Sequence, residues 1–373
     1  MSARSRSYAL DIARGYCLVI MTVDHVPRNI FGRFSNTIFG PFGFFTAASA
    51  FVFISGLVSA WTYGSIYRDQ GSIATWRHSL RRAVQLYAVN TCLFLLVFVG
   101  VLLGLMPGLG LDADYEPLFY EPWTALYRGL IFLYRPGYLD ILPMYVLCVL
   151  MIVPVLRTIR AGYSWAAMGL SALVWLWVQI FASDSRSLNP FGYQILFIAG
   201  LVIGSRKYSL QLRSVRGTRI AQGSLILAAC LLLLRLTLGL LRSPGLDIPG
   251  WRILIHLEHN GPLRVVNFAL FALTMAFLWP RIPVRIQSIP FVRWLGFLGQ
   301  HSLQVFAWSI LTTYVSVALM PTHPSRLWNA MDMLLTVCSL AIPAKLHARF
   351  TQRQVRPRSS LASESRYPSL RRR

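Results

Sequence analysis

Arg14 and His25 stand eleven residues apart, with the apolar run "YCLVIMTV" and then Asp24 between them. Eleven residues of α-helix turn through about 1100°, three turns and roughly 20° more, so both side chains leave the same face. The same spacing rises about 16 Å, over half the hydrocarbon thickness of a bilayer. Asp11, three residues before Arg14, lies on that stripe and can pair with it. Ionisable groups at such depth are costly and mark functional positions. The stripe thus carries a cation at one end and a titratable base at the other. Arginine is a fork for phosphate, and histidine is the natural base for a hydroxyl near neutral pH. A long substrate, phosphate-bearing at one end and reactive at the other, suits that pattern, as an acyl-coenzyme A would. The plainer alternative is a snorkelling arginine and an interfacial histidine.

Asp24 is the harder neighbour. Adjacent helical residues point about 100° apart, so Asp24 cannot orient His25 as a triad aspartate does unless the helix unwinds before Pro27. Proline disfavours helix at the residue before it, which allows such unwinding. Asp24 can otherwise meet a basic group on another helix. A different class of protein, a proton-coupled transporter, would use Asp24 and His25 as a relay.

The elements that must hold these residues are read from composition. The chain has 373 residues, 55 % of them hydrophobic and only 13 % charged, with a mean hydropathy of +0.53. Soluble domains carry about a quarter charged residues, so this chain needs a bilayer around it. A net charge of +23 would point to nucleic acid in a soluble protein. Here the basic residues fall in short clusters between apolar stretches, which argues for cytoplasmic loops and against nucleic-acid binding. The expected fold is all-α, a polytopic membrane protein of about ten transmembrane helices. The spans lie near 8–26, 42–64, 83–105, 137–157, 165–182, 189–205, 220–241, 264–280, 296–319 and 327–346. The stretch 124–134 reads as an interfacial or re-entrant helix, since Arg128 and Arg135 interrupt its apolar face.

Alternate connections carry the positive charge: Arg4, Arg6 and Arg14; Arg68, Arg77, Arg81 and Arg82; Arg157 and Arg160; Arg206, Lys207, Arg213, Arg216 and Arg219; and Arg281, Arg285 and Arg293. The positive-inside rule makes that face cytoplasmic and puts both termini there. The other face has Asp112, Asp114, Glu116 and Glu121. Residues 1–350 form a single transmembrane domain in this reading. Residues 351–373, "TQRQVRPRSSLASESRYPSLRRR", form a disordered tail suited to anionic headgroups. No cleavable signal follows the first apolar run. The absence of a visible internal repeat weakens a transporter built from inverted repeats. Cys17, Cys92, Cys148, Cys230 and Cys338 all sit in apolar segments and read as small buried hydrophobes. No metal site is expected: "HLEHN", with His256, Glu258 and His259, has no further partner in its loop.

The spacing of Arg14 and His25 resembles the R-x10-H signature of acyltransferase-3 type membrane acyltransferases. "ALDIARGYCLVIMTVDHVP" and "FGFFTAASAFVFISGLVSAWTYG" together resemble the OpgC family, membrane succinyltransferases of osmoregulated periplasmic glucans. The later pieces "RRAVQLY", "YLDILPMYVL", "NPFGYQILFIAGLVIG" and "LGFLGQHSLQVFAWS" extend the similarity across the chain, except its Arg-rich tail. Three positions depart from the family pattern. Ser49 stands where an acid is expected, and Asn90 and Ser309 stand where histidines are expected. If those groups shape the acceptor site in relatives, the acceptor or the acyl group differs here.

The resemblance implies O-acyl transfer from cytoplasmic acyl-CoA, succinyl-CoA in the first instance, to a periplasmic glucan or related polysaccharide across a bacterial inner membrane. Acyl-CoA is then the donor substrate, and no tightly bound cofactor is expected. His25 is the general base, or a covalent acyl carrier, and Asp24 its catalytic neighbour. Arg14, Arg81, Arg82 and Arg77 are candidate donor-phosphate contacts. Asp140, Gln194 and Tyr145 are candidate acceptor contacts, and Trp123 offers a further stacking face. His301 and Ser302 either touch the donor or cap a helix. Acetylation of another surface glycan by the same machinery is the nearest competing enzyme reading. The oligomeric state is not legible.

Overall fold

A computed structural model describes residues 8–27, 30, 43–106, 109, 113–182, 187–205, 215–240, 251–281, 283–320 and 325–355. Every regular element among them is helical. In chain order they are α1 (Tyr8–His25), α2 (Ala47–Leu102), α3 (Glu116–Tyr120), α4 (Pro122–Leu130), α5 (Ile141–Arg160), α6 (Ser164–Phe181), α7 (Pro190–Ser205) and α8 (Val215–Leu240). Then follow α9 (Trp251–Ile255), α10 (Pro262–Leu278), a 3₁₀ turn at Trp279–Arg281, α11 (Val284–Gln287), α12 (Pro290–Gln300), α13 (Ser302–Leu319), α14 (Arg326–Ser339) and α15 (Ala341–Val355).

Among the described residues six helical stretches are long and apolar enough to cross a membrane: Ala47–Leu102, Ile141–Arg160, Ser164–Phe181, Thr218–Leu238, Ser302–Leu319 and Arg326–Thr351. Pro190–Ser205 and Pro262–Leu278 are shorter apolar helices. Large apolar side chains such as Leu96, Leu170, Leu173 and Trp177 stay exposed on the outside of the bundle. In water such a surface would aggregate, and in lipid it is at equilibrium. The chain is a multi-pass membrane protein. α1 stands apart from the six because its 18 residues include Asp11, Arg14 and Asp24, which is why hydropathy alone underrates it.

Three junctions differ from the sequence reading, at Gly71, at His301 and at Leu340, where α14 gives way to α15 within the tenth expected span. Spans two and three are the limbs of one helical stretch, α2, which folds back at Gly71. Gly71 has φ 81° and ψ −177°, a region open essentially to glycine alone. The limbs therefore run on past the apolar segments and meet at a one-residue hinge, where a loop was expected. Gly71→Ala should lower stability by about 2 kcal/mol, read as a fall in melting temperature in detergent, although a Cβ there would meet nothing within 4 Å. The ninth span is also divided: the backbone breaks at His301, so α12 and α13 are separate helices. The last helix continues to Val355, into the stretch read as tail. Residues 356–373 lie outside the described residues, as do Arg4, Arg6, Asp112, Arg206, Lys207 and Arg213 of the charge map.

α1 runs through the centre, packed on α2, α12 and α13. Small residues allow the closest approaches. A Cβ on Gly15 would sit 1.9 Å from the carbonyl oxygen of Leu295, and one on Gly299 would sit 1.8 Å from that of Asp11. Gly56 and Gly200 lock α2 to α7 in the same way, against Phe197 and Phe53. Without a hydrophobic drive between helices in lipid, such backbone contact is what holds them together. Arg157 and Arg160, at the end of α5, donate to Ser72 and to the carbonyl of Gly64. The hinge of α2 thus lies at the basic end of the bundle, and His25 at the opposite end.

Candidate active site

At the basic end the two limbs of α2 enclose a pocket of about 270 Å³, lined by Thr62, Tyr63 and Ile66 from one limb and His78, Arg81, Arg82 and Gln85 from the other. Arg82 donates to Gln85 at 2.8 Å and interacts electrostatically with Tyr63 and Tyr145. Tyr145 also interacts with Arg14. Arg14, Arg81, Arg82 and Tyr145 therefore converge, from three different helices. Arg77 is exposed and lines no part of this pocket. His78, absent from the sequence reading, does. Tyr145 lies more than one turn inside α5, where it donates to Ser55 at 3.0 Å and meets Phe51 edge-on at 5.7 Å.

At the opposite end the ring of His25 lies on that of Tyr138, centroids 4.4 Å apart. Tyr138 meets Tyr314 at 5.9 Å, and the Tyr314 and Tyr115 hydroxyls are 3.3 Å apart. Tyr115 and Tyr314 are fully enclosed, whereas Tyr138 and His25 are half-buried. Gly137, at φ 53°, lets the chain bend under the Tyr115 hydroxyl; a Cβ there would be 1.8 Å from it. That bend aims Tyr138 at His25. Trp123, by contrast, is exposed and 6.3 Å from Phe98.

Asp24 interacts with Arg235 of α8. Of the two arrangements left open by the sequence, this is the basic group on another helix. Arg235 lies 5.8 Å from the ring of Phe44 and within electrostatic range of Arg264. Arg264 is buried and donates from Nε to the carbonyl of Ile255 at 2.6 Å. Neither arginine was singled out from the sequence. The signal for Arg235 was present, a lone cation in "LAACLLLLRLTLGLL".

Asp140, just before α5, accepts from the backbone N–H of Leu188 at 2.9 Å. Arg135 donates to the carbonyl of Leu188 at 3.2 Å and faces Asp140; burial lowers its pKa, against the pull of that carboxylate. Asp140 also interacts with Tyr193 and Tyr314, which ties it to the His25 end. Gln194 is buried and bonded through both ends of its amide to Ser171, between α6 and α7. The loop 256–261 closes over this end: Tyr193 donates to Leu257 and Gln179 to His259, both at 2.8 Å. His256 lies 3.1 Å from Glu258 and stacks on His259. No group of three His, Cys, Asp or Glu able to hold a metal occurs among the described residues.

The model of the family described as "OpgC protein" matches residues 6–352. The chain belongs to the OpgC family. No curated protein and no solved structure matches it. The OpgC family implies a membrane acyltransferase that modifies glucans. Ser49, Asn90 and Ser309 are all interior: Ser49 lies beside Thr46 at 3.4 Å, Ser309 donates to the carbonyl of Phe306, and Asn90 has a buried Oδ1 with no hydrogen-bond partner among the described residues. His301, at the cap of α13, makes no capping bond; its Nδ1 lies 2.9 Å from that of His347.

Proposed function

We propose that the protein transfers an acyl group, succinyl in the first instance, from cytoplasmic acyl-CoA to hydroxyls of a periplasmic glucan across a bacterial inner membrane. The observation that carries this reading is α1 itself. One unbroken helix joins a neighbourhood of arginines at Arg14 to an imidazole set against a half-open aromatic face at His25. With about ten spans and both termini inside, Arg14 faces the cytoplasmic leaflet and His25 the outer one. The donor's phosphates bind Arg81, Arg82 and Arg14, and its acyl arm runs along α1. A sugar ring stacks on Tyr138, which brings a hydroxyl to His25. His25 takes the hydroxyl proton as the oxygen adds to the thioester carbonyl. The C–S bond then breaks, and the proton passes to the departing thiolate. The products are an ester on the glucan and free coenzyme A.

Purified protein should release coenzyme A in proportion to glucan acylated. Arg81→Gln with Arg82→Gln should raise KM for acyl-CoA at least about tenfold with a smaller change in kcat, because the pair binds the donor equally in ground and transition states. Release that is independent of acceptor, or an unchanged KM, would remove the donor site from this pocket.

A further inference from the structure

The environment of Asp24 and Arg235 holds an unused donor. Arg264 is only 7 % exposed, yet its Nη1 has no hydrogen-bond partner among the described residues. A buried guanidinium with an open N–H is costly, and costlier still beside a second cation, here Arg235. Among the described residues the nearby anions lie elsewhere: Asp24 lies by Arg235, and Glu258, though within range of Arg264, makes its close contact with His256. Arg264 begins α10 and Arg235 lies late in α8, helices that pack together. Both arginines therefore belong to the same end of the bundle as Asp24, the chain neighbour of His25.

We infer that Arg264, backed by Arg235, seats the terminal carboxylate of a dicarboxylic acyl group while its thioester carbonyl lies at His25. This rests on the acyl-transfer reading and adds to it the residues that select the acyl group. In a four-carbon diacid two methylenes separate the carbonyl and carboxylate carbons, about 4 Å. The carboxylate would satisfy Nη1 and relieve the repulsion between the two arginines. An uncharged chain of equal length would leave both costs in place.

Succinyl-CoA and butyryl-CoA, matched in carbon number, separate the cases. The unaltered protein should favour succinyl-CoA by roughly 30-fold or more in kcat/KM. Arg264→Gln should lose that preference, with the succinyl rate falling and the butyryl rate within about threefold. Equal losses with both donors in a folded variant would overturn the inference, as would an unaltered protein that does not distinguish them. A loss that follows succinyl groups already on the acceptor, whichever donor is used, would assign the carboxylate to the acceptor and overturn the donor assignment. Binding of free succinate against butyrate, read as a thermal shift of the unaltered protein in detergent, needs neither turnover nor the variant. If succinate alone stabilises the protein while no donor releases coenzyme A, the carboxylate seat stands and acyl transfer falls. If neither acid, or both alike, shifts the melting temperature, the seat is absent.

Discussion

His25→Ala should cut coenzyme A release roughly a thousandfold and leave expression, insertion and melting temperature close to those of the unaltered protein. Loss of a positioned base costs about 10²–10⁴ in rate, and the two acids nearest in the site are already engaged. Asp24 is engaged with Arg235, and Asp140 with the backbone of Leu188. The fold should survive because His25 closes the last turn of α1 and is half-buried, with its ring on one face of Tyr138. Removing it forfeits one ring contact, worth about 1 kcal/mol, and opens no enclosed cavity. The two readouts must be taken together. A variant that inserts, melts normally and still acylates glucan at full rate would end the general-base role. A variant that fails to fold would show that the imidazole holds Tyr138 and α1 in place.

How far the sequence reached depends on whether the information was local. The bounds of α1 depend on periodicity within one helix, and the structure repeats them to within a residue, Tyr8–His25 against 8–26. The fold-back of α2 was not legible, because Gly71 sits in "DQGSIA", which looks like any polar loop. Only the tertiary packing of both limbs makes a one-residue reversal preferable to a longer connection. The break at His301 was hidden for a related reason: "LGFLGQHSLQVF" is apolar enough to read as one span. Both α12 and α13 pack on α1, a tertiary contact that no local pattern encodes. The partner of Asp24 illustrates the limit most clearly. The sequence narrowed the choice to two arrangements, yet Arg235 lies more than two hundred residues away, and no local pattern encodes that pairing. The same is true of Tyr145, read as an outer-face residue but enclosed beside Ser55 and in range of Arg14.

The largest stability effect is expected from the smallest substitution. Gly15→Ala adds one methyl group to α1, one residue after Arg14, and should lower stability by about 3 kcal/mol or more. The obstacle is the Leu295 carbonyl oxygen 1.9 Å from the new Cβ, with its carbon at 2.7 Å and the Leu295 Cα at 3.1 Å. These are backbone atoms, so no side-chain rotation relieves the clash, and α1 and α12 must move apart. Separating them also opens the reciprocal contact of Gly299 on Asp11, so the damage is not confined to one site. Gly64→Ala supplies the control, because a Cβ there meets nothing within 4 Å. It should be neutral or stabilising by up to about 1 kcal/mol through helix propensity. The melting temperature in detergent should therefore fall for Gly15→Ala and hold or rise for Gly64→Ala. If both variants melt alike, close approach of α1 to α12 does not hold the bundle. If Gly15→Ala folds but its KM for acyl-CoA rises, the separation has moved Arg14 out of register with His25. The spacing along α1 would then matter through the helix packed against it as much as through the eleven residues themselves.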